Sequence, residues 1–430
     1  MIIRPAACGA AGSQELNNVI ATQKNSRAPG DVAGPLDGIR ILDLSAVVMG
    51  PYATQILGDL GADVIKLEPP GGDNMRAVGP MRNPGMGAIY LHLNRNKRSI
   101  ALDLKAESGR EACLALARSV DVLLYNTRPQ AMARLGLSYE DVAAVNPGIV
   151  YVGAYGFGSA GRYAGRPAYD DLIQGMTAIP SLYQRNSGDV PRYAPLTLAD
   201  RAVGMHVAIA MLAGVLRARA SGQGQAIEVP MFEAMAQFVL GDHMGGRTFE
   251  PSEGETGYSR LLVSYRRPYA TSDGYISLLI YNDKHWMRFF DLIGRPELKT
   301  DARFRTHTAR AENIDEAYRL VAGEVEKNTS AYWLQAFDQA DIPVAPLYGV
   351  DDLIDDPHLQ DVQMIRAMHH ASEGAINTLA PVGNYMGTPL SIRKDAPRLG
   401  EHTREVLAEA GLDERAIEAL IAAGAAVAAS

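Results

Sequence analysis

The stretch PLDGIRILDLSAVVMGPYATQILGDLGADVIKLE, residues Pro35–Glu68, holds the fold in outline. IRILDLS (Ile39–Ser45) is short and apolar, as a buried strand requires, and ADVIKLE (Ala62–Glu68) is a second such run. Between them PYATQILGDLG opens on Pro51, favoured in a first helical turn, and closes on Gly61, where a helix stops. The rhythm continues downstream. RSIALDL (Arg98–Leu104) reads as a strand, Glu107–Ser119 as an amphipathic helix and DVLLYN (Asp121–Asn126) as a strand. PQAMARLGL and YEDVAAVN are helical in pattern, and GIVYVGAYGFG (Gly148–Gly158) is a fifth strand. Strands alternating with helices through short connections imply parallel pairing by right-handed crossovers, hence an open α/β sheet. SAVVMGPYA follows the first strand where a dinucleotide fold would carry GxGxxG, and no GxxxxGK[ST] exists, so nicotinamide and P-loop chemistry lose their main support.

Composition narrows the function classes. A chain of 430 residues, 47% hydrophobic, is long enough for two or three folding units. Its formal net charge of −8 argues against nucleic acid, which wants a basic face. The two cysteines, Cys8 and Cys113, make neither a disulfide framework nor a CxxC pair, and no metal site is expected. The apolar run Ala202–Leu216 is too short to cross a bilayer and contains His206, and the N-terminus lacks signal-peptide character. The expectation is a soluble cytoplasmic globule without a membrane partner.

The chain divides by texture. Residues 1–34 read as a loosely held extension, 35–228 as the first part of a large domain, 229–337 as a small α+β domain and 338–430 as a return to the large domain. In the small domain RRPYATSDGYISLLIYN (Arg266–Asn282) reads as a hairpin turning at Asp273-Gly274. The C-terminus reads as two helices, TREVLAEAG and ERAIEALIAAGAA.

GRPAYDDLIQGM (Gly165–Met176) places two aspartates at a helix start. Asp171 and Gln174 have capping-box spacing, with Asp171 as N-cap. Asp170 then sits one residue earlier, and composition alone would make it a surface or salt-bridged carboxylate.

PLDGIRILDLS…GPYATQILGDLGADVIKLEPPGGD, NRNKRSIALDLK, DVLLYNTRP…RLGLSYEDVAAVNPGIVYVGAYGFG, GRPAYDDLIQGM, ASGQGQAIEVPMFEA and LGEHTREVLAEAGL together resemble the class III CoA-transferase family, also called CaiB/BaiF. The ordered set covers most of residues 35–235 and the C-terminal portion. The resemblance implies a Rossmann-like large domain built from both chain ends, a small central domain, and a homodimer of interlocked chains. It implies that Asp170 attacks an acyl-CoA thioester, with acyl-CoA and a carboxylic acid as substrates and no tightly bound cofactor. It places CoA against Asn126, Arg128 and Arg134, more loosely against Lys97 and Arg98, with Gly156 and Phe157 beside the pantetheine end. Val48 stands where some members carry Gln, Pro69 where some carry Arg, and NTRPQ replaces NFRPG. GGRTF (Gly245–Phe249) is not the glycine-run loop of the formyl-CoA–oxalate members, which disfavours that exchange.

Two rivals stand beside transfer. A racemase-like proton shift α to the thioester needs an acid/base partner, and no His lies between His92 and His206. A non-catalytic CoA-binding protein would leave Asp170 without a role. A second carboxylate of a dicarboxylic acid such as succinate could be met by Arg247, Arg260, Arg266 or Arg267.

Overall fold

The computed structural model describes residues 34–429. Of the expected extension over residues 1–34, all but Gly34 lies outside the described residues. Five runs of buried aliphatic residues form strands where the apolar pattern places them: β1 (Arg40–Asp43), β2 (Asp63–Glu68), β3 (Lys97–Leu102), β4 (Val122–Tyr125) and β5 (Val150–Tyr155). Residues such as Ile41, Leu42, Val64, Ile65, Leu123 and Val152 are wholly buried, as in a sheet covered on both faces. β6 (Gln225–Pro230) follows at one edge. A three-stranded antiparallel sheet is made by β7 (Tyr269–Ala270), β8 (Tyr275–Leu278) and β9 (Val344–Pro346). β10 (Ile365–His370) and β11 (Gly374–Leu379) form a hairpin, and β12 (Ala426–Val427) ends the chain.

The large sheet runs β12-β3-β2-β1-β4-β5-β6. Strands β1 to β5 pair in parallel, while β12 is antiparallel to β3, Ala426 opposite Leu102. The chain leaves β1 toward β2 and β3, then jumps back to lay β4 on β1's other side. The gap between the ends of β1 and β4 is therefore a topological switch point, where open α/β sheets bind ligands. β12 was not expected. The last helix stops at Ala422 because Gly424 takes φ +71°, and the freed residues reach β3.

The described residues separate into two compact units, one of residues 34–154, 204–228 and 366–429, the other of 155–203 and 229–365. These bounds differ from the expected ones in two places. Residues 155–203, with Asp170, group with the second unit. So do residues 338–365, because β9 pairs with β8, Leu278 opposite Val344. The second unit is centred on Trp286, Phe289, Phe290, Trp333 and Phe337, packed against Ile276 of β8. Full burial of such side chains contributes about 1.5–3 kcal/mol each.

The helix Leu198–Ser221 corrects the reading of Ala202–Leu216 as too short for a membrane, since its 24 residues are long and apolar enough by length and composition. Half of its apolar window is buried inside the fold, including Val203, Val207 and Met211. Within the first unit, Gly204 lets it approach Met49: an added Cβ would lie 2.8 Å from the Met49 carbonyl oxygen.

Candidate active site

At the switch point of the first unit the loops after β1 and β4 are tied together by Asn126. Its carboxamide accepts from the Ala46 N–H at 3.0 Å and donates to the Ala46 carbonyl at 2.7 Å. Val47 takes φ +73°, a costly conformation for a β-branched residue. It is held there by the Asp73 carboxylate, which accepts from its N–H at 3.2 and 3.3 Å. Asp73 is in turn paired with the buried Lys66 at 2.9 Å, so the loop is braced from inside the sheet. Val48 is buried. Pro69 is exposed and its carbonyl closes a turn with the Gly72 N–H at 2.8 Å.

Arg128, exposed, precedes the helix Pro129–Arg134, which has proline at its first position. Arg134 is also exposed and lines a cavity of 480 Å³ with Lys105 and Arg110. Arg110 shares Glu107 at 3.5 Å, whereas Arg134 has no carboxylate partner among the described residues. Three cations around one cavity suit a phosphate-bearing ligand.

Lys97 and Arg98 are not available to a ligand. Lys97 is fully buried; its ammonium donates to the Pro51 carbonyl and to Asn94 Oδ1, both at 2.9 Å, and pairs with Asp43 at 3.3 Å. Burial pushes its pKa down to about 8. Arg98 is spent on Asp63 at 2.6 Å, Glu405 at 2.8 Å and Glu409 at 2.7 Å. Alternation along β3 and the return of the C-terminal helix Thr403–Glu409 dictate this, and NRNKRS read alone shows neither.

In the second unit, Asp170 occupies the first turn of the helix Asp170–Met176 and is half-buried. The capping-box reading of Asp171 is overturned. The N-cap is Tyr169, with no side-chain cap, and Asp171 is exposed. Gln174 instead serves Asp170: its amide donates to Asp170 Oδ2 at 2.6 Å, while its own oxygen accepts from the Ala194 N–H at 2.9 Å. The other carboxylate oxygen, Oδ1, accepts from the Asp200 N–H at 2.9 Å. Each oxygen thus has one fixed donor and one lone-pair site left over.

Sequence reading missed Asp200. It lies in the first turn of Leu198–Ser221, and burial first, then the neighbouring Asp170 charge, raises its pKa to about 7. The expected absence of an acid/base partner near Asp170 is thereby corrected. The only sequence signal was an acid opening an apolar helix, in PLTLADRAVG.

Gly156 packs against the segment that leads into this carboxylate, and Phe157 lies in an aromatic cluster beside it in sequence. A Cβ on Gly156 would fall 2.2 Å from Ala168 Cβ, so only glycine lets that loop lie against the segment leading into Asp170. Phe157 is buried among Tyr163 and Phe232, ring centres 5.5 and 5.7 Å away. The helix Met231–His243 anchors it, with the Phe232 N–H donating to the Gly156 carbonyl at 3.0 Å.

The pattern of CoA-transferase family III matches residues 36–403. The chain is 32% identical over 399 residues to a succinyl-CoA:glutarate CoA-transferase of Mus musculus, covering 92% of this chain and 91% of that protein. It is 32% identical over 389 residues to a succinate–glutarate CoA-transferase of Agrobacterium fabrum, covering 89% and 97% respectively. The crystal structure of a CaiB/BaiF family protein from Brucella suis superposes with a TM-score of 0.73 at 29% identity, covering 88% of this chain and all of that one.

Proposed function

The chain belongs to CoA-transferase family III and is an enzyme of that class, and on this premise we propose that it moves CoA from a dicarboxylic acyl-CoA, such as succinyl-CoA, to a second dicarboxylic acid through a covalent intermediate on Asp170. The observation that carries the reading is the Asp170 carboxylate, half-buried and held by one donor on each oxygen. An Asp oxygen attacks the thioester carbonyl, the C–S bond breaks, and CoA leaves as thiolate with an aspartyl anhydride behind. The thiolate attacks the aspartyl carbonyl, releasing the first acid and leaving an aspartyl-CoA thioester. The acceptor carboxylate and the same thiolate then repeat both steps in reverse, restoring Asp170. No net proton is exchanged, so the two acids simply trade the CoA.

CoA's phosphates find their charge partners in the first unit at Arg134, Lys105 and Arg110, with Arg128 and the Asn126-braced loop close in sequence. The sequences of relatives named for succinyl-CoA and glutarate support a dicarboxylate pair. Solubility in the cytoplasm and a homodimer belong to the same reading. Support for the dimer comes from Met205, Ile209 and Leu216, which stand 49, 62 and 72% exposed along one face of Leu198–Ser221.

The test is chemical capture. Acyl-CoA plus hydroxylamine should convert Asp170 to its hydroxamate without any acceptor acid, and Asp170→Ala should abolish transfer. A hydroxamate on Asp171, or near-normal exchange in the variant, refutes the reading. The Asp170–Asp200 pair favours one alternative, proton transfer α to a thioester, since a carboxyl titrating near 7 suits acid/base work. Deuterium entering the α-carbon of a 2-methylacyl-CoA in heavy water, without acyl exchange, would select it.

A further inference from the structure

In the second unit Arg260, Arg266 and Arg267 line a cavity of 370 Å³, together with Tyr269, Ser277 and Tyr318 and an apolar wall that includes Leu278 and Ile280. Its size falls at the lower end of small-molecule sites, roughly 300–1,000 Å³. The three guanidinium groups have no carboxylate partner among the described residues. Some arginines of the same unit are neutralised, Arg288 by Asp341 at 2.8 Å, Arg303 by Asp301 and Glu316 at 2.7 Å each, and Arg310 by Asp283, while others stand singly at the surface; here three share one hollow. Like charges gathered round one hollow repel one another unless an anion joins them.

Arg260 is also oriented. Its Nε donates to the Tyr318 hydroxyl at 2.9 Å, and its guanidinium stands 5.6 Å from the centre of the Tyr281 ring. A second hydrogen bond ties the guanidinium to the Tyr258 side chain, and its remaining N–H groups can meet an anion. The cavity is built onto the element that follows Asp170. The helix Ile179–Ser187 packs on Asp170–Met176, and its Asn186 donates to the carbonyls of Leu261 at 3.1 Å and Val263 at 2.9 Å, pinning the short helix Ser259–Leu262 that carries Arg260. Arg247, the fourth arginine expected in this role, is exposed in the turn Gly245–Thr248 and does not line the cavity.

We propose that this arginine-lined cavity receives the second carboxylate of the dicarboxylic substrate, the one that does not react, and so makes the enzyme prefer dicarboxylic over monocarboxylic acids. The proposal rests on the transfer reading above. The apolar wall takes the methylene chain and the guanidinium fork takes the charge; a monocarboxylate leaves the fork empty. A phosphate group of CoA presents the same charge, and the experiment separates the two sources.

Wild-type full-length protein and the variants Arg260→Gln and Arg267→Gln are titrated calorimetrically with glutarate, butyrate and CoA in turn. No thioester is present, so nothing turns over. Loss of a hydrogen-bonded charge partner weakens binding by about ten- to hundredfold. The expected result is that loss for glutarate in both variants, with butyrate and CoA weakened far less. The ratio of kcat/KM for glutarate over butyrate as acceptor should fall by the same factor. Arg267 is exposed, so Arg267→Gln decides the matter if Arg260→Gln does not fold. Unchanged glutarate affinity, equal losses for all three ligands, or a loss confined to CoA would each overturn the assignment. Failure of the transfer reading registers separately, as absence of the Asp170 hydroxamate in wild-type protein.

Discussion

Gln174→Leu tests whether the fixed pose of Asp170 matters to its chemistry. The substitution keeps the volume of a wholly buried side chain but removes the 2.6 Å bond to Asp170 Oδ2 and the acceptor of the Ala194 N–H. Two effects on the proposed nucleophile oppose each other. Losing a donor leaves more charge on that oxygen and strengthens it as a nucleophile, but a hydrogen bond to a charged group is worth only about 1.5–3 kcal/mol net, of which attack realises a fraction. Losing the donor also frees the carboxyl to turn, with only the Asp200 N–H left on it, and a misplacement of about 1 Å costs on the order of a hundredfold in rate. Positioning should win, and Asp170 should acylate about ten- to hundredfold more slowly. The stranded Ala194 amide should separately cost about 1–3 kcal/mol of stability. Single-turnover hydroxamate formation on Asp170 reads the first effect and urea denaturation the second. If the protein is destabilised as expected yet acylates at the wild-type rate, Gln174 merely supports the fold and the reasoning fails.

Arg134→Ala should raise KM for acyl-CoA with little change in kcat, because a contact to the CoA tail is made equally in ground and transition states; an unchanged KM would remove Arg134 from the CoA site. Asp200 titrates near 7 when folded and near 3.8 when unfolded, so the native state holds the extra proton across that window. Its contribution to stability is therefore complete below about pH 4 and is lost as pH rises through 7, by at most about 4 kcal/mol and by less given its partial exposure. Asp200→Asn should flatten that part of the pH–stability curve in thermal melts, and an unaltered curve would show that Asp200 is an ordinary surface acid. For the proposed dimer, Ile209→Asp, placing charge on the exposed apolar face of Leu198–Ser221, should convert the sedimenting species to monomer, whereas wild-type protein sedimenting as a monomer, or a variant that stays dimeric, would refute an interface on this face.

What the sequence determined by itself was local. Apolar runs long enough for strands, separated by helices with Pro at one end and Gly at the other, admit little besides a parallel α/β sheet, since such runs must be buried on both faces. The Asp273-Gly274 turn specified its hairpin for a similarly short-range reason. Asp170 was singled out through the residues that flank it. Which groups touch was decided by tertiary structure, because those contacts join positions that the chain separates widely. Gln174 looked like a cap for Asp171 three residues away, but the loop returning through Ala194 and the helix carrying Asp200 turn it toward Asp170. Lys97 and Arg98 looked like CoA contacts, but Asp43 and Glu409, 54 and 311 residues distant, enclose them. β9 and β12 are too short for periodicity to reveal, and they exist because β8 and β3 offer unpaired backbone groups whose hydrogen bonds have to be met. Local pattern therefore settled the sheet, while the setting of the Asp170 carboxylate came from one neighbour four residues on, itself turned by Ala194, and from Asp200, thirty residues away.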